Sequence, residues 1–153
     1  LKQMEKLIYA RRPLEILQLA QGLLQREIEC ADLHLAAGIA SEMLSDLQRA
    51  RAHLGRACLL DAKLLAARTE LGRVWWRLGW AELAEALWRS LPVEGPYEYG
   101  RHYHLALAHQ AQGRRAQALE AMGLALRDFF YDTRHYYIKQ AYERWLSRLP
   151  SQG

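Results

Sequence analysis

The chain repeats itself every 34 residues. Gly79 and Gly113 stand 34 positions apart, and one further step back lands on Ser45. In that register small residues coincide at Gly38, Gly72 and Ala106, and again at Ala50, Ala84 and Ala118. Large apolar residues coincide at Leu54, Trp88 and Met122. Apolar residues also fall together at Ala40, Val74 and Ala108, and at Ala57, Leu91 and Ala125. Leu44 and Leu78 match, with Gln112 the polar exception in their column. No gap is needed across three units, 31–64, 65–98 and 99–132. A fixed period of this kind restricts a chain to a row of like units, each burying its apolar face against a neighbour.

The material inside each unit is helical. Leu, Ala, Arg, Glu and Gln dominate, and β-branched residues are scarce, so strong helix formers fill the stretches between breakers. Apolar residues recur at three- and four-residue spacing, as in Leu44, Leu47, Ala50 and Leu54, or Leu71, Val74, Trp75 and Leu78. No run alternates polar and apolar residues with turns at strand spacing, so the chain reads as all-α. Two antiparallel helices of roughly 12–14 residues with two tight turns consume about 34 residues. The small columns let the two backbones approach, and the Leu54, Trp88 and Met122 column fills the wedge between units. Gly79 and Gly113 sit where the turn needs positive φ. Ser45 takes that place in the first unit, where Ser45 and Asp46 are expected to cap the second helix.

Two segments carry a family likeness: LALAHQAQGRRAQALEAMGLAL, from Leu105 to Leu126, and ELGRVWWRLGWAELAEALWRSL, from Glu70 to Leu91. Both resemble the tetratricopeptide repeat (TPR) family in their Leu–small–x–apolar, turn Gly, Ala and large-apolar positions. The first unit matches less well, since Ala37 and Ser41 stand where larger residues are usual. The resemblance implies a right-handed superhelical solenoid of antiparallel helix pairs. Residues 1–30 read as a diverged leading pair, with one helix to about Ala10, a turn at Arg11–Pro13 and a second helix carrying Ile16, Ala20 and Leu23. In the 65–98 unit Pro92 falls about four positions earlier than the family pattern, so its second helix ends near Ser90 or Leu91 and a Pro loop follows at 91–97. Residues 133–149 form a capping helix or the first helix of a further repeat, and 150–153 form a tail.

In such superhelices the first helices of successive units line a concave groove, and the groove is the functional surface. Carried across by column, the lining includes Asp32, Leu35, Ile39 and Glu42, then Thr69, Arg73, Trp76 and Arg77, then Tyr103, Leu107 and Gln110. Tyr137, Gln140, Ala141 and Arg144 extend it if the last helix follows the same path. Arg73, Arg77 and Arg144 with Trp76, Tyr103 and Tyr137 make a mixed cationic and aromatic patch, the residue types that dominate binding energy. A protein or peptide partner with acidic and apolar side chains suits it. Some family members clamp a chaperone's C-terminal carboxylate with Lys and Asn; here those columns hold Ala36, Glu70 and His104, with Ile39 and Arg73 beside them, so that clamp is not expected.

Chemistry is not indicated. His102, His104, His109 and His135 cluster in sequence, but their spacing fits no metal-ligand pattern, and His102 and His109 stand at columns of packed aromatics. No phosphate-binding glycine loop and no nucleophilic triad can be read. The expectation is no catalytic residue, no metal and no cofactor. Trp75, Trp88 and Trp145 fall on core columns, whereas Trp80 is expected at an exposed edge. Cys30 and Cys58 lie in helical patterns and read as two reduced thiols instead of a disulfide framework.

Lys and Arg number 21 against 17 Asp and Glu, a net charge of +4, with Lys only four times. That excess is too small to indicate a nucleic-acid binder. The Arg-rich, Lys-poor composition fits a bacterial protein, for which secretion, pilus or polysaccharide-export assembly and chaperoning of secreted subunits are the analogous roles. Two rival classes stand beside the protein-binding scaffold. One is nucleic-acid binding through Arg49, Arg51, Arg56, Arg114 and Arg115; the other is a regulatory or targeting domain of a larger enzyme. Self-association through Tyr136, Tyr137 and Trp145 is a further option. No apolar stretch approaches the ~20 residues of a membrane span. The first residues show no signal peptide, and the absence of an initiator Met reads as the edge of a longer chain. The compartment, cytoplasmic or periplasmic, is left open.

Overall fold

The computed structural model describes residues 2–92, 100–128 and 133–148. The expected tail at 150–153, and most of the loop expected at 91–97, lie outside the described residues. All regular structure among them is α-helical. The chain falls into two compact units, Leu1–Leu78 and Gly79–Gly153.

The first unit holds five helices: α1 (Lys2–Tyr9), α2 (Pro13–Gln25), α3 (Ala31–Met43), α4 (Leu47–Leu60) and α5 (Leu65–Arg77). Each packs on the next, and α3 also meets α1 and α5. Pro13 opens α2 at a position where its missing N–H costs nothing. Met4, Ile16, Leu17 and Ala20 from the leading pair close a core with Leu33, Ala36, Ala37 and Ala40 of α3. The second unit holds α6 (Ala81–Arg89), α7 (Arg101–Ala111), α8 (Arg115–Asp128) and α9 (Arg134–Ser147), again packed in sequence. Its core joins Ala106 of α7, Ala121, Met122 and Ala125 of α8, and Ile138 of α9.

The periodic small and apolar columns are buried, except that of Leu44, Leu78 and Gln112. Ala50, Ala84 and Ala118 have no exposed surface, nor do Leu54, Trp88 and Met122, nor Ala40, Val74 and Ala108. Gly38 shows why one column must be small: a Cβ there would lie 2.5 Å from Leu54 Cγ and 2.7 Å from Leu54 Cδ2. Helices α3 and α4 therefore meet at a distance that only glycine permits without displacement of Leu54.

The turns obey the same register. Gly79 and Gly113 have φ of +87° and +76°, and Ser45 has φ of +59°. Ser45 thus adopts the left-handed conformation of the glycines it stands for, and capping falls to Asp46 alone, which accepts from Arg49 N–H at 3.2 Å. The backbone bonds match too, with Asp46 N–H reaching Ser41 O and Arg114 N–H reaching His109 O, both at 2.9 Å. The Ser45 hydroxyl accepts a hydrogen bond from Arg77 Nη2 at 3.0 Å.

Candidate functional site

In the first unit, the expected lining residues come from α3 and α5, and the packing of these two helices brings them together. Ile39 and Glu42 on α3, and Arg73 and Trp76 on α5, are half-buried, while Arg77 is exposed. Thr69 lies behind this face: it is 4% exposed, and its hydroxyl donates to Leu65 O at 2.9 Å. The arginines are not free charges. Arg77 Nη1 donates to both the Glu42 carboxylate (2.7 Å) and the Glu42 backbone carbonyl (3.0 Å), so it ties α5 to the end of α3. Arg73 lies 3.7 Å from Glu70, one turn earlier. Arg77 therefore fastens α5 to the end of α3, and the Trp76 indole on the same helix is half-buried.

In the second unit, Tyr103 packs half-buried against the core shared by α7 and α9, beside Ala141, Tyr142 and Trp145. Leu107 and Gln110 are half-buried on α7. Tyr137 and Arg144 are exposed on α9, and the Tyr137 ring meets the exposed Tyr136 edge-on, with centroids 5.6 Å apart. Gln140 donates to the Tyr136 hydroxyl at 2.9 Å. Trp88 is fully buried, whereas Trp75, Trp80 and Trp145 are partly so. His109 is buried, as its column implied, and so is His104, whereas His102 is half-buried. The His104 ring is tilted against Trp88 with centroids 4.9 Å apart, and its Nδ1 bonds Gly100 O at 2.9 Å.

Two polar networks escaped the sequence reading. In the first unit Arg56 donates to Glu29 (2.7 Å), Glu29 meets His34 Nε2 (3.1 Å), and His34 Nδ1 meets His53 Nδ1 (3.0 Å). A carboxylate can only accept, so neutral His34 carries its proton on Nε2 and His53 donates from Nδ1. The Arg56 hydrogen bond, then that of His34, holds the Glu29 carboxyl below its ordinary value. Burial, then repulsion from His34 when that ring is protonated, pushes His53 below the usual imidazole range. In the second unit the buried Glu85 accepts from Arg89 (2.9 Å), Arg114 (3.1 Å) and Gln112 (3.2 Å). Burial pushes Glu85 up, but the bonds from Gln112 and Arg89 and the Arg114 charge outweigh it, and the carboxyl sits below its ordinary value. Burial lowers His109, against the pull of Glu85 3.7 Å away.

These shifts give a pH dependence. His53 and His109 hold protons less well folded than unfolded, so their contribution to stability is complete above the unfolded value near 6.5 and falls as the pH drops below it. Glu85 adds a second loss below about 4.5, whereas Glu70, whose carboxyl is raised by burial, adds stability as the pH falls toward 4.5 from above. Urea midpoints are expected to fall between pH 7.5 and 5.5. His53→Gln and His109→Gln should each flatten that fall, and an unchanged slope in both would refute the assignment.

The networks use charges that other functions would need. Arg56 and Arg114, two of the five arginines considered for phosphate contact, are neutralised by Glu29 and Glu85. Among the described residues no group of three or more His, Cys, Asp or Glu could hold a metal. Both cysteines are free thiols, and burial pushes Cys58 up, away from the thiolate a nucleophile needs. No helix among the described residues is long and apolar enough to cross a membrane.

This arrangement of helix pairs with αL turns defines an all-α fold of the tetratricopeptide type. Two solved structures share it. MamA "41-end" from Desulfovibrio magneticus RS-1 superposes with a TM-score of 0.69 at 19% identity, covering 95% of this chain and 90% of that one. The "MamA RS-1 ArsTM double mutant" gives 0.67 at 17% identity, with the same coverage. No protein-family model matches the chain, and no curated protein matches it.

Proposed function

We propose that the chain is a non-catalytic, tetratricopeptide-type module that binds a protein or peptide partner on the face formed by α3 and α5. The observation that carries this reading is the half-buried Trp76 on α5, a helix that Arg77 fastens to the end of α3 through Glu42 and Ser45. A large aromatic on a pre-organised face loses little entropy when a partner covers it. Tyr103, Leu107 and Gln110 on α7, with Tyr137 and Arg144 on α9, supply a second such surface within the other unit. The finer parts of the reading go with it. The repeats divide at 31–64, 65–98 and 99–132, with a leading pair at 1–30 and a closing helix at 133–149. The setting is a bacterial assembly, secretion or polysaccharide-export system, for which the Arg-rich composition is the support.

Affinity capture tests the proposal. Trp76→Ala combined with Arg73→Ala should release partners held by the wild type. Tyr9→Ala with Leu59→Ala, which removes the most exposed apolar side chains away from this face, should retain them. Urea midpoints within about 1 kcal/mol of wild type establish that the variants are folded.

A further inference from the structure

Several arginines among the described residues are held in ion pairs: Arg56 by Glu29, Arg77 by Glu42, and Arg89 and Arg114 by Glu85. Arg115 and Arg148 differ. Neither forms an ion pair among the described residues, although Arg114, next in sequence to Arg115, does. Both line one cavity of about 140 Å³ in the second unit, together with Gln110, Leu119 and Trp145. The cavity lies where the last turn of α7, the first turn of α8 and the last turns of α9 meet. Both arginines are exposed, and neither has an acid paired with it among the described residues. An anion entering the cavity meets two cations with no competing carboxylate.

We propose that this cavity binds a carboxylate of a partner peptide. The inference rests on the protein-binding reading above and adds the chemistry of the ligand. The guanidinium groups present planar forks of N–H donors that match the two oxygens of a carboxylate, and the Gln110 amide adds one more donor. Leu119 and Trp145 supply apolar wall for the methylene stem that carries the carboxylate. The volume admits that group and its stem, and nothing the size of a nucleotide. The carboxylate comes from an acidic side chain or from a chain terminus, and the two sources share the same recognition.

The test uses the full chain and fluorescein-labelled peptides of alternating leucine and glutamate, amidated at the C-terminus, at low salt. Binding is expected, weakened about tenfold by Arg115→Gln with Arg148→Gln and unchanged by Arg49→Gln in the other unit. A leucine–glutamine peptide with a free C-terminus separates the sources: binding that needs both arginines assigns the site to a chain terminus and supports the proposal. Equal affinity of the double variant overturns it, as does equal affinity for the amidated leucine–glutamine peptide. Displacement by inorganic phosphate at concentrations where acetate has no effect overturns the carboxylate assignment. The double variant is also carried through affinity capture. A partner that it retains but Trp76→Ala releases overturns the cavity alone. A partner retained by both variants overturns the protein-binding reading, and the peptide titration then decides the cavity by itself.

Discussion

Trp88→Ala is expected to destabilise the second unit by about 3–5 kcal/mol, the range for removing a fully buried large aromatic. The indole has no exposed surface and meets the His104 ring at a tilt with centroids 4.9 Å apart, so its loss leaves a cavity and ends a ring–ring contact. Trp88→Phe keeps part of the volume and should cost distinctly less. Urea denaturation read through far-UV circular dichroism measures both. A cost under about 1 kcal/mol for the alanine variant would mean that the wedge position is not core.

Gly38→Val is the second large effect and works in the opposite sense, by adding volume. A Cβ at Gly38 lands 2.5 Å from Leu54 Cγ, and Leu54 is itself fully buried. Overpacking of this kind costs about 1–3 kcal/mol, and valine recovers little in helix propensity. The diagnostic is the pair. Leu54→Ala alone should cost about 2–5 kcal/mol, while Gly38→Val with Leu54→Ala should cost less than the two single effects together, since each change makes room for the other. Strict additivity in the double-mutant cycle would mean that α3 and α4 do not meet at this point.

The fold was legible because the repeat writes packing into the sequence. The small columns record where backbones approach, as Gly38 against Leu54 shows, and the turn column records positive φ even where serine replaces glycine. The surface was less legible. Period 34 places Arg73, Trp76 and Arg77 on one face, but it carries no information on which charges are neutralised. Glu42 lies 35 residues before Arg77, and Glu85 lies 29 before Arg114, in columns where the other units have unrelated residues. Each of those pairs occurs once, so no periodicity announces it. The same holds for His34 and His53, which meet only because α3 and α4 pack closely. Thr69 turned inward for a local reason: its hydroxyl finds the carbonyl four residues back, which lets a polar side chain stay buried. His104 is packed as well as His109 because it is the ring of α7 that meets Trp88.

The central claim is that the α3–α5 face of a folded, non-catalytic module holds a protein partner. Its most direct measurement is affinity capture from a lysate of the source organism, quantified by mass spectrometry for the wild type, Trp76→Ala with Arg73→Ala, and Tyr9→Ala with Leu59→Ala. A partner retained by the wild type and the control pair, and depleted about tenfold or more by the face variant, is the predicted result. The same partners at the same abundance on all three baits would contradict the claim.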